Sequence, residues 1–135
     1  EFLARRGIGP DALQMERETF LTVMSGRKGK IKPALLDQRL IAGLGNLYAD
    51  EALFQTGICP QARSLNRERL DGLFSAIQKV LRTSLASNAH FEKLPDTYLL
   101  PHRHPGGACP RDGAALEKIK IAGRTSYYCP LHQKE

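Results

Sequence analysis

The chain has 135 residues, 41% hydrophobic and 25% charged, with 20 Lys and Arg against 14 Asp and Glu and a formal net charge of +6. This composition belongs to a globular chain long enough to bury a core, and it excludes a disordered one. No apolar run approaches the roughly 18 residues of a membrane span, and no signal-sequence pattern opens the chain. A cytoplasmic location is expected, and the start at Glu1-Phe2 without an initiator Met suggests a fragment.

Residues 1–26 read as a leading helical region. Gly9-Pro10 fits a helix start. Phe20, Val23 and Met24 recur at helical spacing over 16–24, and Gly26 is the expected stop. Residues 27–32 read as a basic loop stiffened at Pro33. Residues 34–41 read as a short helix with Leu36, Leu40 and Ile41 inward, broken at Gly43-Leu44-Gly45. Asn46 then stands where an N-cap belongs, and residues 47–55 form the next helix, with Gly57 as C-cap and Pro60 preventing continuation. A longer amphipathic helix is expected over 66–85, its buried stripe made of Leu70, Leu73, Phe74, Ile77, Leu81 and Leu85. Residues 88–107 lack sustained periodicity and read as a linker or loop. Residues 116–121 and 124–129 are strand-like runs around Ala122-Gly123, a hairpin signal. The expected organisation is a helical unit over 1–87, a linker over 88–107 and a small hairpin unit over 108–135.

A two-stranded hairpin is marginal in water and needs a staple. Cys109-Pro-Arg-Asp112 and Cys129-Pro-Leu-His132 flank this one. Two such pairs converge four side chains on one point, as in a structural zinc site. Cys109, Cys129 and His132 are good zinc ligands, and Asp112 is an allowed but unusual fourth. His102, His104 or a water could replace Asp112, and a Cys109–Cys129 disulfide is the competing reading. Cys59, beside Pro60, reads as a small packed residue.

The charge is clustered. Arg27, Lys28, Lys30, Lys32 and Arg39 face a single acid, Asp37, and Lys118, Lys120 and Arg124 face Glu117. Two basic clusters point to a polyanion, against the plainer reading of a solvated basic surface. The Gly43-Leu44-Gly45-Asn46 turn would present free helix N–H groups, a ready phosphate site that Asn46 could extend and Lys32 reinforce. Arg124 could reach a phosphate from the hairpin, although a plain surface arginine fits the same position. Asp50-Glu51 reads as a solvated helix face. His90, His102 and His104 lie without periodic support, so no catalytic group is expected in this chain.

The run from Ile31-Lys32-Pro33 through Gly43-Leu44-Gly45-Asn46 to Phe54 closely resembles the helix–two-turn–helix segment of the formamidopyrimidine-DNA glycosylase and endonuclease VIII family. Residues 109–133 resemble that family's zinc-finger hairpin, with Asp112 and His132 where the family usually has cysteines. The resemblance implies a mainly α fold: a helix–two-turn–helix bundle with an appended zinc-finger β-hairpin. It also implies the damaged-DNA-binding C-terminal portion of a base-excision-repair glycosylase and AP lyase. Lys32, Asn46 and Arg124 would bind phosphates of double-stranded DNA, and zinc would be the one cofactor. In the family an N-terminal proline and the following glutamate carry the chemistry. This chain has no such start, so it is expected to act as a monomer that binds DNA without catalysing. The alternatives are a stand-alone, non-catalytic nucleic-acid-binding module, or an RNA-binding helix–two-turn–helix protein.

Overall fold

The computed structural model describes residues 11–25, 27–86 and 94–135. The Gly9-Pro10 helix start, the Gly26 stop and His90 lie outside the described residues. Among those described there are four α-helices: α1 (Arg17–Met24), α2 (Ile31–Leu36), α3 (Asn46–Thr56) and α4 (Arg67–Ala86). A 3-10 turn (Leu100–His102) and an antiparallel hairpin of β1 (Glu117–Ile121) and β2 (Arg124–Tyr128) follow. No helix among the described residues is long and apolar enough to cross a membrane.

The core lies between α4 and the three preceding helices. Phe20 of α1 meets Phe74 of α4 with ring centroids 5.5 Å apart, and Leu35, Leu53, Leu70 and Leu73 are buried around them. The stripe expected on α4 is present except at its end. Leu85 is 63% exposed, and Ser84 turns inward instead, its hydroxyl 2.6 Å from that of Tyr48. Asn66 caps this helix by accepting the Arg69 N–H at 2.8 Å.

Two boundaries differ from expectation. The helix placed at 34–41 starts earlier, at Ile31, with Pro33 inside its first turn, where the missing N–H has no helical partner to lose. It stops at Asp37, whose carboxylate accepts the Arg39 N–H at 3.0 Å and makes a local turn. Leu35, rather than Leu36 or Leu40, is its fully buried leucine. The N-cap of α3 is Gly45 in extended conformation, not Asn46, which is the first helical residue.

At its other end α3 closes as expected. Gly57 is left-handed (φ 70°), its N–H bonds to Phe54 O at 3.2 Å, and the Ile58 N–H bonds to Leu53 O at 3.0 Å. The C-terminal tail docks on this cap: Lys134 N–H donates to Gly57 O at 2.9 Å, and Cys59 N–H donates to Lys134 O at 2.8 Å.

The segment read as a linker contributes to the core where it is described. Leu94, Tyr98, Leu99 and Leu100 are buried there. Its turn is so tight at Gly107 that a Cβ would lie 1.9 Å from the His102 carbonyl oxygen.

Candidate nucleic-acid interface and metal-binding group

The hairpin tip is a two-residue turn with φ 52° at Ala122 and 79° at Gly123, which matches the twist of the flanking strands. Ile121 therefore pairs with Arg124, and Arg124 stands exposed at the start of β2. At the opposite end of the hairpin two matching turns bring the ligand candidates together. Gly113 N–H bonds to Cys109 O at 2.8 Å, and Gln133 N–H bonds to Cys129 O at 2.9 Å.

The thiolate-forming sulfurs of Cys109 and Cys129 and a carboxylate oxygen of Asp112 all lie within 4.8 Å of one another. Cys129 Sγ is 3.2 Å from Asp112 Oδ2. Backbone N–H groups aim at both sulfurs: Arg111 N lies 3.4 Å from Cys109 Sγ, and the amides of Leu131 and His132 reach Cys129. Burial and the Asp112 carboxylate push the Cys129 thiol up to about 11. The Ala114 N–H, and then the Cys129 thiol, hold Asp112 below the usual carboxylate range.

Two thiols and a carboxylate within one coordination sphere, with amides turned to the sulfurs, fit a divalent metal of zinc type. All three cysteines are free thiols, so the competing disulfide is not formed. His132 is outside this group. Its Nε2 lies 2.6 Å from the Phe54 carbonyl and its ring packs edge-on against Phe54. His102 and His104 are also elsewhere, on the carbonyls of Asp96 and Pro105. Cys59 is buried and packed, as its sequence context suggested.

A buried charge cluster joins β2 to α3. Lys32 and Asp50, both fully buried, form an ion pair at 2.7 Å. Asp50 Oδ2 also accepts Arg103 Nε at 2.9 Å and the Tyr127 N–H at 3.1 Å. The Thr125 carbonyl receives three donors: Arg103 Nη2 at 2.8 Å, Asn46 Nδ2 at 3.0 Å and Lys32 Nζ at 3.3 Å. Lys32 also bonds to the Ser126 hydroxyl, and the Arg103 guanidinium lies over the Tyr127 ring, 4.9 Å from its centroid. Burial drives the Lys32 pKa down, Asp50 pulls it back up, and Arg103 and Arg124 push it down again. Two cations, Lys32 and Arg103, thus share one carboxylate and one carbonyl, with the Asn46 amide as a third donor to the carbonyl.

Lys32 is therefore a buried strut rather than part of an exposed basic loop. Asn46 braces the hairpin instead of capping its helix, and its Oδ1 is buried without a hydrogen-bond partner among the described residues. Asp50 and Glu51 overturn the reading of a solvated face, since both are fully buried. The Glu51 carboxylate accepts the N–H groups of Leu99 and Leu100, each at 2.8 Å, and Gln55 Nε2 at 2.8 Å. Arg103 was not a sequence candidate at all. The signal that could have found this cluster is that α3 is apolar on every side, with Ala49, Ala52, Leu53 and Phe54 all buried, so its two acids had no wet face to occupy.

Residues 7–94 match the family model for the formamidopyrimidine-DNA glycosylase H2TH domain. Among curated relatives, the formamidopyrimidine-DNA glycosylase of Nitratidesulfovibrio vulgaris is 38% identical over 96% of this chain and 39% of its own length. That of Gluconobacter oxydans is 37% identical over 98% and 53%. Among solved structures, the Lactococcus lactis enzyme in complex with FAPY-dG-containing DNA superposes with a TM-score of 0.84 at 28% identity, covering 99% of this chain and 54% of that one. The same enzyme bound to DNA containing an AP site gives 0.84 at 29%, covering 99% and 53%. The chain spans about half the length of most of these relatives. With a family model matched over most of its length, the chain belongs to the formamidopyrimidine-DNA glycosylase H2TH domain family.

Proposed function

We propose that the chain is the damaged-DNA-binding portion of a base-excision-repair glycosylase and AP lyase. The observation that carries this is the 3.0 Å hydrogen bond from Asn46 to the carbonyl of Thr125. It joins the N-terminus of α3 to the residue beside Arg124, so a helix end and an exposed arginine form one anion-binding surface. The first amides of α3 have no helical partner, and the helix dipole adds positive potential there. Asn46 uses one amide proton on Thr125 and keeps the other for a phosphate oxygen. Arg124 offers a planar fork to a second phosphate. Lys32 adds charge from beneath rather than by direct contact. Such contacts fix the register of a duplex and hold it bent while a base leaves the stack. We assign no catalytic residue in this chain.

Cys109, Asp112 and Cys129 would hold a zinc ion, and His132, which lies outside that group, would complete the set by turning its Nδ1 toward the metal. Its Nε2–H donates to Phe54, which leaves Nδ1 unprotonated, the form a metal takes. Zinc, when bound, supplies structural closure of the hairpin base.

The test is fluorescence anisotropy on duplexes with and without an abasic site, alongside borohydride trapping. Preferential binding to the abasic duplex without a trapped covalent adduct is expected. Efficient trapping by the 135 residues would place the chemistry in this chain and overturn the division of labour. Equal affinity for structured RNA would favour the RNA-binding reading.

A further inference from the structure

An open cleft of about 780 Å³ lies between the loop before α2 and the hairpin tip. Arg27, Lys28, Lys30 and Arg63 line one side, and Ile121 and Ala122 of the hairpin line another. The segments carrying these cations are tied together. Lys30 and Arg63 form an antiparallel bridge, and Arg63 Nη1 donates to the Lys28 carbonyl at 3.3 Å. Among the described residues the cleft wall carries one carboxylate, Asp37, and Arg39 occupies it through two contacts of 3.2 Å. Arg27, Lys28 and Arg63 are exposed, and none forms a salt bridge among the described residues; Arg27 only adds its field to that of Arg39 at Asp37. Four cations thus face an acid that is already neutralised.

The cleft is continuous with the proposed interface, because Ala122 on its wall is two residues from Arg124 at the hairpin tip. A cleft of one charge sign focuses potential and favours a polyanion. We infer that this cleft is a second phosphate-binding stretch, carrying the DNA backbone onward from Arg124 toward the loop before α2. The inference rests on the DNA-binding reading above. It adds contacts to phosphates beyond those that Asn46 and Arg124 hold.

The test measures affinity for a duplex of about 20 base pairs with a central abasic site across a series of KCl concentrations. Removing one phosphate-binding cation lowers the slope of log K against log[salt] by about 0.9. Arg27→Ser/Lys28→Ser is expected to lower it by about 1.8, Arg124→Ala by about 0.9, and the three together by the sum. Lys28→Ser alone, whose side chain has no partner among the described residues, is expected to lower it by about 0.9 with an unchanged melting curve. It serves if the pair disturbs the loop. A lowered slope for Arg124→Ala with no change for the cleft variants overturns the cleft and leaves the DNA reading standing. A lowered slope for the cleft variants alone supports the cleft and overturns the Arg124 surface. No measurable binding by the unaltered chain overturns both.

Discussion

Replacing Asp50 by Asn keeps the shape of the side chain and removes one charge. In the native arrangement that carboxylate faces two cations, Lys32 at 2.7 Å and Arg103 at 2.9 Å, and also accepts the Tyr127 N–H. Without it two cations remain in a buried cluster with no counter-charge. Breaking a buried pair from one side costs about 3–5 kcal/mol. For a chain of this size that lowers Tm by about 12–20 °C. Removing Lys32 instead is milder, because Arg103 still balances Asp50. Lys32→Met is expected to cost about 1–2 kcal/mol, from the hydrogen bonds it gave Ser126 and Thr125.

The pH dependence has a defined sign. Burial lowers the folded pKa of Lys32 below its unfolded value, so its contribution is fully present above 10.5 and is lost as pH falls through the folded value. Losing Asp50 removes the largest influence that raises this pKa, so the window widens downward. The penalty of Asp50→Asn is then larger at pH 7 than at pH 10, where Lys32 can discharge. Urea denaturation at both pH values, with unchanged m, reads this directly. A loss under about 1 kcal/mol at pH 7, or a larger loss for Lys32→Met than for Asp50→Asn, would refute the assignment of Asp50 as the hub.

Asp112→Ala should lower zinc affinity by at least about tenfold, read by competition with a chromophoric chelator, and native mass spectrometry of the unaltered chain should show one zinc. A full-affinity Asp112→Ala chain would remove that ligand. Gly107→Ala puts a methyl group against the His102 and His104 carbonyl oxygens, at 1.9 and 3.0 Å, and should cost about 1–3 kcal/mol in urea denaturation. Glu51→Gln turns an amide N–H toward a backbone donor and should cost about 1–3 kcal/mol. Because burial raises the Glu51 pKa, its wild-type contribution is full below the unfolded value of 4.5 and falls as pH rises through the folded value. The deficit of Glu51→Gln should therefore narrow between pH 4.5 and pH 7.

Local chemistry made much of this fold legible. Helical spacing located α1 and α4, and the Ala122-Gly123 pair set the hairpin register to the residue. Gly57 marked the end of α3, and the Cys109 and Cys129 spacing marked where two thiols and the Asp112 carboxylate converge. The misses have one physical cause. An acid in a helix reads as solvated because burying a charge is costly unless a partner meets it. The partners of Asp50 and Glu51 are Arg103, Tyr127, Leu99 and Leu100, between 48 and 77 residues away. No local pattern reports them. Asn46 was misjudged for a related reason: its type favours caps, but a bond to Thr125, 79 residues on, uses its amide elsewhere.

The adjacency of Asp50 and Glu51 has a mechanical consequence. Successive helical residues point about 100° apart. One acid therefore grips the hairpin through Tyr127 and Arg103, while the next grips the 3-10 turn through Leu99 and Leu100. About one turn beyond Asp50, Phe54 packs against Cys109 and Cys129 at the base of the hairpin. The hairpin is thus held at two separate points on one helix. The Cys109–Asp112–Cys129 group would hold its base once a metal is bound, and the Asp50 cluster holds the strand next to Arg124. Loss of the metal releases only the first, so the affinity that Arg124 gives should survive chelation better than the stability of the base. Asp50→Asn should do the reverse, leaving metal binding intact while weakening DNA binding. If chelation and Asp50→Asn instead reduced DNA affinity equally and abolished the contribution of Arg124 alike, the two attachments would be one cooperative unit, and the separate brace on Thr125 would have no independent role.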